Sequence, residues 1–154
     1  MKLGERLHLD WSLTDENLAF LRQLGVQGVI VGLGMPGTPV GEDRAEPPAL
    51  LKGDHLELDE LMKLREKVER FGLEVFALGN LPYRYFDKII RGLPGRDQQI
   101  ENWCETLRNM GRAGIPALKY NWVINAGQKW PLWRTSVETP TRGGALTQSF
   151  DYEI

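Results

Sequence analysis

The sequence contains few of the features that mark secreted or membrane proteins. Cys104 is the single cysteine among 154 residues, so the chain cannot form an internal disulfide, which is typical of a reducing, cytoplasmic compartment. No apolar run approaches the ~18–20 residues needed to cross a bilayer. The first ten residues, MKLGERLHLD, lack the apolar core of a signal peptide. We therefore expect a cytoplasmic protein that does not contact a membrane.

The sequence also lacks an excess of positive charge. It has 19 lysines and arginines against 21 aspartates and glutamates, for a net charge of -2. Proteins that bind nucleic acid generally attract phosphates with clustered positive charge, so we expect no nucleic-acid partner. The phosphate-binding pattern GxxxxGK[ST] is absent. The segment GLGMPG (32–37) has the GxGxxG spacing and follows a predicted strand, but no predicted helix follows it, so it is not interpreted as a dinucleotide-binding loop. With one cysteine and two histidines, His8 and His55, the chain offers no convincing set of transition-metal ligands.

What the sequence does contain is a regular alternation of strand and helix patterns. Strands are predicted where apolar and β-branched residues alternate or run continuously, over residues 3–9, 26–33, 73–79 and 116–122. Helices are predicted over residues 14–24 and 57–71, between Gly95 and Gly114, and, in a shorter form, over 83–91. Strands that alternate with helices imply a parallel sheet with right-handed crossovers. We therefore expect residues 1–154 to form a single α/β domain.

The last predicted helix has the clearest apolar face. The residues that recur there at helical spacing, and that we expect to be buried, are Ile100, Trp103, Cys104, Leu107 and Met110. Cys104 is therefore interpreted as a core residue rather than a nucleophile.

Two segments are interpreted as long loops. Residues 34–55 are dense in glycine and proline, which interrupt helices and strands. Residues 123–154 form a tail rich in tryptophan, arginine and glycine. Loops of that length inside a compact domain are uncommon and are often functional.

Candidate binding residues follow the predicted strands. In parallel α/β proteins the carboxyl ends of the strands meet, and ligands bind there. The residues at those ends are His8 and Asp10, Gly34 and Met35, Asn80, and Asn121 with Trp122. His8 fits either a ligand pocket or a polar cap on its strand. Asparagines after strands also suit turns, so Asn80 and Asn121 each fit both interpretations.

The tail combines positive charge with aromatic residues. Lys129, Arg134 and Arg142 lie among tryptophans, which favours an anionic, polyhydroxylated ligand because the guanidinium fork matches a carboxylate. Gly143 and Gly144 would let main-chain amides approach an anion closely. A solvated loop anchored by its aromatic residues is the alternative interpretation.

Three segments resemble the mannonate dehydratase family. They are GLPGRDQQIENWCETLRNMGRAGIPALKYNW (92–122), WRT (133–135) and RGGALTQSFD (142–151), and the helix pattern in the first is the most specific. The strand with Arg6 and the glycine–valine pattern of residues 25–31 follow the order of the same family. The resemblance implies a TIM barrel of the xylose isomerase-like type. Because a complete barrel typically needs ~250 residues, we expect about half of one, up to the fourth strand.

The resemblance implies an activity and a set of substrate-binding residues. The family's reaction is the dehydration of D-mannonate to 2-keto-3-deoxy-D-gluconate, a carbon–oxygen lyase step of glucuronate and other hexuronate catabolism that uses Mn2+ or Fe2+. The positions that carry over to the sugar acid are Arg6, Asn121, Arg134, Thr135 and the turn Arg142–Gly144. The resemblance places the family's metal ligands on later strands, so we expect none in this chain and assign no catalytic residue.

Two features depart from the family and leave alternatives open. Residues 32–41, GLGMPGTPVG, lack the histidines common in the family, and Lys119 stands where an apolar residue or a cysteine is usual. The alternatives are a non-catalytic sugar-acid-binding or remnant structural module, and a sugar isomerase or epimerase relative. Half a barrel also leaves two open sheet edges, which favour association. We consider a missing C-terminal half, a homo-oligomer, or a tail that covers the sheet.

Overall fold

Four parallel strands form the centre of the fold. The computed structural model describes residues 2–34, 48–122, 136–151 and 153 of the chain. The strands are β1 (Gly4–His8), β2 (Gly28–Gly32), β3 (Glu74–Gly79) and β4 (Leu118–Lys119), and they lie side by side in that order. Each strand pairs in parallel with its neighbour, so the predicted parallel sheet is confirmed. β4 is much shorter than the predicted strand over 116–122.

Helices occupy the connections between these strands. They are α1 (Asp15–Gln23), α2 (Leu58–Glu69), α3 (Asp87–Arg91) and α4 (Arg96–Arg112), all close to their predicted positions. α1 begins where the Thr14 hydroxyl accepts a hydrogen bond of 3.2 Å from the Asn17 main-chain N–H. It ends before Gly25, whose φ of +81° turns the chain back towards β2. Among the described residues, no helix is both long enough and apolar enough to cross a membrane.

One face of the sheet packs against helices. β-branched and leucine side chains point to this face from the strands, and leucine and valine side chains meet them from the helices. The fully buried residues of this core include Val29, Val31, Leu78, Leu18, Leu61 and Val68. Burial of these side chains supplies most of the stabilisation of the four-stranded sheet.

The opposite face of the sheet is lined differently. At its amino end, the Phe76 ring lies over two glycines: a Cβ on Gly28 or Gly4 would come within 2.5 Å or 3.0 Å of the ring. Towards the carboxyl end, the side chains over Gly32, four residues further along β2, are those of Arg6 and His8. This face therefore carries an aromatic ring near the start of the strands and polar side chains near their ends.

The buried face of α4 differs from the predicted one. Ile100 and Leu107 are 42% and 45% exposed, so the prediction that they are buried was wrong, whereas Met110 is buried as expected. Trp103 and Cys104 are half-buried. Polar residues occupy the face that packs against the rest of the domain, and these are Gln99, Thr106 and Asn109.

Thr106 and Asn109 are buried because they bind the main chain ahead of α2. The Thr106 hydroxyl accepts a hydrogen bond of 3.1 Å from the Leu56 N–H. The Asn109 side-chain amide donates one of 3.0 Å to the Leu56 carbonyl. Leu56 lies outside any helix or strand, so its two main-chain groups need such partners once they are buried.

Gln99 likewise binds main-chain groups at the start of α3. Its side-chain oxygen accepts hydrogen bonds from the main-chain N–H groups of Lys88 and Ile89, at 2.9 Å and 3.0 Å. Its side-chain nitrogen donates to the Arg84 carbonyl at 2.8 Å and to the Asp87 carboxylate at 2.7 Å. Gln99 therefore satisfies N–H groups at the start of α3 that the short helix leaves without internal partners.

Arg84 ties the connection after β2 to the connection after β3. Its guanidinium donates to the carbonyls of Leu51 and Gly53, the latter at 3.1 Å, and to the Tyr85 hydroxyl at 2.9 Å. Burial of the Tyr85 ring raises the pKa of its hydroxyl to about 12, and the neighbouring Arg84 charge partly opposes that rise. The last part of the predicted loop over 34–55 thus contains a single helical turn, Ala49–Leu51, whose two leucines are buried.

Residues 136–149, which the sequence analysis assigned to a long loop, form an antiparallel hairpin. Its strands are β5 (Ser136–Pro140) and β6 (Leu146–Ser149), with a tight turn at Arg142–Gly144 between them. Gly143 and Gly144 have φ values of +77° and +78°, a conformation that glycine adopts without a steric penalty. The glycine pair between alternating residues was the available hairpin signal.

Replacing Thr106 with valine tests whether α4 stabilises the domain through polar contacts. Thr106→Val keeps the shape of the side chain but leaves the buried Leu56 N–H without an acceptor. We expect a loss of about 1–3 kcal/mol in the free energy of unfolding, measured by urea denaturation. The matched control is Thr147→Val on the exposed face of β6, which should change stability by less than ~0.5 kcal/mol. Equal effects of the two substitutions would contradict this role.

Candidate functional site

Arg6 and His8 lie close together towards the carboxyl end of β1; the sequence analysis named His8 for its place at the strand end and Arg6 from the family resemblance. Both lie over Gly32 of β2, and a Cβ there would be 3.2 Å from Nε and Nη2 of Arg6 and from Nδ1 of His8. In the register of the sheet, His8 is the direct partner of Gly32. The missing side chain at Gly32 therefore creates the space that the guanidinium and the imidazole occupy.

Two buried polar atoms at this end of the sheet have no hydrogen-bond partner among the described residues. They are Nε of Arg6, a donor, and Oδ1 of Asn80, an acceptor. Leaving such an atom unpaired costs roughly 1–3 kcal/mol. Atoms of this kind are the ones that a polar ligand can satisfy, so they mark the carboxyl end of the sheet as a candidate binding site.

A rigid turn after β1 places an aromatic ring beside Arg6 and His8. The Trp11 ring stacks on the His8 ring with 4.8 Å between centroids and an interplanar angle of 17°. Ser12 holds the turn, because its hydroxyl accepts a 2.7 Å hydrogen bond from the His8 N–H, and its carbonyl accepts one of 2.8 Å from the Asn17 side chain. The sequence analysis missed Trp11, although a tryptophan just after a strand end was a visible signal.

A second group of aromatic residues follows β4. Trp122 stacks on Phe86 at 6.1 Å and meets Trp103 edge-on at 5.3 Å. Tyr120 packs against Trp122 at 6.1 Å and is 66% exposed. In the sequence, Asn121 stands between Tyr120 and Trp122, and its side chain is exposed. The structure therefore places Asn121 at an aromatic surface beyond β4, two strands away from Gly32.

Most of the remaining predicted residues fall in the tail. Arg142, Gly143 and Gly144 form the exposed turn of the β5–β6 hairpin, which is a separate sheet from the one that carries Arg6. Arg134, Thr135 and Lys129 lie outside the described residues, as does Met35.

The described residues do not assemble a metal site. Across residues 2–34, 48–122 and 136–151, no group of three or more histidine, cysteine, aspartate or glutamate side chains is placed to hold a metal ion. Cys104 is a half-buried residue of α4, in the helix layer. The donor set that Mn2+ or Fe2+ would require therefore does not fit this part of the chain.

Comparison with known families shows which family the chain belongs to. The family model for D-mannonate dehydratase (UxuA) matches residues 6–154, which is almost the whole sequence. The chain belongs to the mannonate dehydratase family. The resemblance that the sequence analysis drew from residues 92–122, 133–135 and 142–151 is thereby confirmed.

Individual members of the mannonate dehydratase family show how much of the fold is present. The mannonate dehydratase of Thermotoga neapolitana is 33% identical over 135 residues, which is 87% of this chain and 32% of that protein. That of Streptococcus pneumoniae (strain 70585) is 33% identical over 99 residues, or 64% of this chain and 23% of that protein. This chain therefore spans about a third or less of the length of these mannonate dehydratases.

A solved mannonate dehydratase has the same arrangement of elements. The crystal structure of mannonate dehydratase from Streptococcus suis serotype 2 superposes with a TM-score of 0.61 and 26% identity. The match covers 97% of this chain and 37% of that chain. The four parallel strands and their helices are thus part of a TIM-barrel-like fold, as expected, and amount to about a third of the mannonate dehydratase chain.

Adding a methyl group at Gly32 tests whether this glycine sets the site geometry. Gly32→Ala should displace the Arg6 guanidinium and the His8 ring, because the new Cβ would lie 3.2 Å from both. We expect a clear shift of the His8 imidazole signals in NMR spectra, with His55, the second of two histidines, as internal reference. The control Gly111→Ala, where a Cβ meets nothing within 4 Å, should leave both histidines unchanged. Unshifted His8 signals in Gly32→Ala would contradict the prediction.

Proposed function

We propose that the carboxyl end of this sheet binds the carboxylate of D-mannonate, as the substrate-binding part of a mannonate dehydratase. The reaction is the loss of water from D-mannonate to give 2-keto-3-deoxy-D-gluconate, a carbon–oxygen lyase step in the breakdown of hexuronates such as glucuronate. The observation that carries the proposal is Nε of Arg6, a buried donor without a partner beside His8 and above Gly32. The single cysteine and the metabolic class of the substrate favour the cytoplasm as the site of action.

The chemistry of Arg6 suits a sugar acid. Its guanidinium carries a permanent positive charge on a planar fork of donors, which matches the two oxygens of a carboxylate. Dehydration begins with removal of the proton on the carbon next to the carboxylate, and the hydroxyl one carbon further along then departs as water. The enol that remains moves its hydroxyl proton to that second carbon and becomes the 2-keto acid. Negative charge moves onto the carboxylate oxygens as the proton leaves. Arg6, held close to those oxygens, would stabilise that charge.

Further substrate contacts are proposed at the positions that matched the family. Asn121, Arg134, Thr135 and the hairpin turn Arg142–Gly144 would bind the carboxylate or hydroxyl groups of the same sugar acid. His8, which faces the same Gly32 as Arg6, would donate or accept a hydrogen bond at a substrate hydroxyl.

The divalent metal of the reaction needs ligands from elsewhere. The described residues do not assemble a donor set for Mn2+ or Fe2+. Dehydration requires that those ligands be contributed by residues outside the described part of this chain or by another polypeptide, including a second copy of this one. The second candidate function is binding of a sugar acid without turnover, and the observation in its favour is the unpaired Nε of Arg6, whose charge and geometry suit a carboxylate without any need for a reaction.

Removal of Arg6 tests the binding proposal. We expect Arg6→Ala to weaken D-mannonate binding by about 30-fold or more, since a buried charged contact is worth roughly 2–5 kcal/mol. Isothermal titration calorimetry measures the dissociation constant. The control is Arg108→Ala, which removes an exposed arginine paired with Glu101 and Glu105 on α4 and should leave the affinity unchanged. Equal losses in the two variants would refute the assignment of Arg6 to the site.

An assay of turnover distinguishes the proposed lyase activity from binding of the sugar acid without reaction. The purified protein is incubated with D-mannonate and added Mn2+, and the 2-keto acid product is measured by its semicarbazone absorbance. The dehydratase proposal predicts product formation that requires the metal and is lost in Arg6→Ala. Arg6-dependent binding with neither bound metal nor product would establish the non-catalytic function instead.

A further inference from the structure

Asn80 differs from the other buried polar residues of the domain. Within the described part of the chain, these residues are Ser12, Asn80, Gln99, Thr106 and Asn109. Four of them use their side chains to bind main-chain groups and so hold turns or helices in place. Oδ1 of Asn80 has no such partner, although the residue is only 8% exposed. A buried acceptor without a partner is unfavourable for folding, so local structure does not explain it.

The backbone holds Asn80 firmly in this position. Its main-chain N–H donates a 2.9 Å hydrogen bond to the Lys119 carbonyl, which ties the end of β3 to β4. Its φ of +54° lies in the left-handed region, which asparagine tolerates better than most residues. Any residue could donate the main-chain bond, so the bond itself does not require an amide side chain.

Asn80 and Arg6 present their unpaired atoms at the same edge of the sheet. The guanidinium of Arg6 lies over Gly32, and Gly32 pairs across the sheet with Gly79, the residue before Asn80. Asn80 therefore follows the strand next to the one that the guanidinium covers. An unpaired donor on β1 and an unpaired acceptor just after β3 thus occur at the carboxyl ends of the two strands that flank β2.

We propose that Asn80 is a specificity-determining residue that selects acids with a hydroxyl on the carbon next to the carboxylate. A carboxylate only accepts hydrogen bonds, so it satisfies Nε of Arg6 and leaves Oδ1 of Asn80 unpaired. A neighbouring hydroxyl can donate to that oxygen. A 2-hydroxy acid therefore forms hydrogen bonds with both atoms, whereas the corresponding deoxy acid leaves the buried acceptor of Asn80 without a donor. This inference rests on the proposed binding of a sugar acid through Arg6.

Two ligands that differ by one hydroxyl test the inference. 2-Deoxy-D-gluconate is D-mannonate without its C2 hydroxyl, and both affinities are measured by calorimetry. We expect the wild-type protein to prefer D-mannonate about tenfold or more. In Asn80→Gly, which removes the acceptor and suits the positive φ, D-mannonate affinity should fall until the preference is nearly lost, with 2-deoxy-D-gluconate unaffected. The control Asn102→Ala, on α4, should retain the wild-type preference.

The outcomes distinguish the two proposals. D-Mannonate binding that is absent, or that does not depend on Arg6, overturns the proposed function and this inference with it. Arg6-dependent binding with the same preference in wild type and Asn80→Gly overturns the inference alone. Thermal melting without ligand should show no loss of stability in Asn80→Gly. If that variant does not fold, side-chain amide NMR signals of Asn80 in the wild-type protein decide: they should shift with D-mannonate and not with 2-deoxy-D-gluconate, and equal shifts refute the inference.

Discussion

The fold depends on the hydrogen bonds that the polar face of α4 makes to main-chain groups of its neighbours. Thr106 and Asn109 bind both polar groups of Leu56, and Gln99 binds the start of α3. Apolar contacts alone would bury these irregular segments at a high cost, because their N–H and C=O groups would lose water without gaining partners. α4 thus fixes the approach to α2 and the connection after β3, and those connections frame the carboxyl end of the sheet.

The buried polar atoms of the candidate site, unlike those of α4, lack hydrogen-bond partners among the described residues. In the helix layer, buried polar atoms are satisfied within the protein, and this stabilises the fold. At the carboxyl end of the sheet, Nε of Arg6 and Oδ1 of Asn80 remain unsatisfied, which destabilises the domain slightly in the absence of a ligand. This contrast distinguishes the buried polar groups that stabilise the fold from those of the candidate site. It also places the site where parallel α/β folds generally bind ligands.

The sequence was sufficient for the four parallel strands and the four helices, because those signals are local: periodicity, β-branched runs and glycine stops. The family followed from segments that resemble mannonate dehydratases, whereas the hairpin in the tail was predicted as a loop. The sequence was insufficient where partners are distant in the chain. Ile100 and Leu107 have the spacing of a buried stripe, yet both are exposed, and Thr106 and Asn109 are buried instead. Thr106 and Asn109 bind the main chain of Leu56, about 50 residues earlier in the sequence. The residues around α4 give no sign that Leu56 requires these hydrogen bonds. The sequence identified His8 and Asn80 as residues near strand ends, and the family resemblance identified Arg6. Only the packing shows which of their atoms lack partners and that Trp11 stacks on His8.

Phe76 has a consequence for how a solute would reach this face of the sheet. Its ring fills the space over Gly4 and Gly28 near the amino ends of the strands, where not even a methyl group would fit without rearrangement. Among the described residues, this face is therefore filled by an aromatic ring at its amino end and lined with Arg6 and His8 towards its carboxyl end. A solute that reached Arg6 by way of the amino ends of the strands would have to displace the Phe76 ring, whereas one that arrived by way of the carboxyl ends would not.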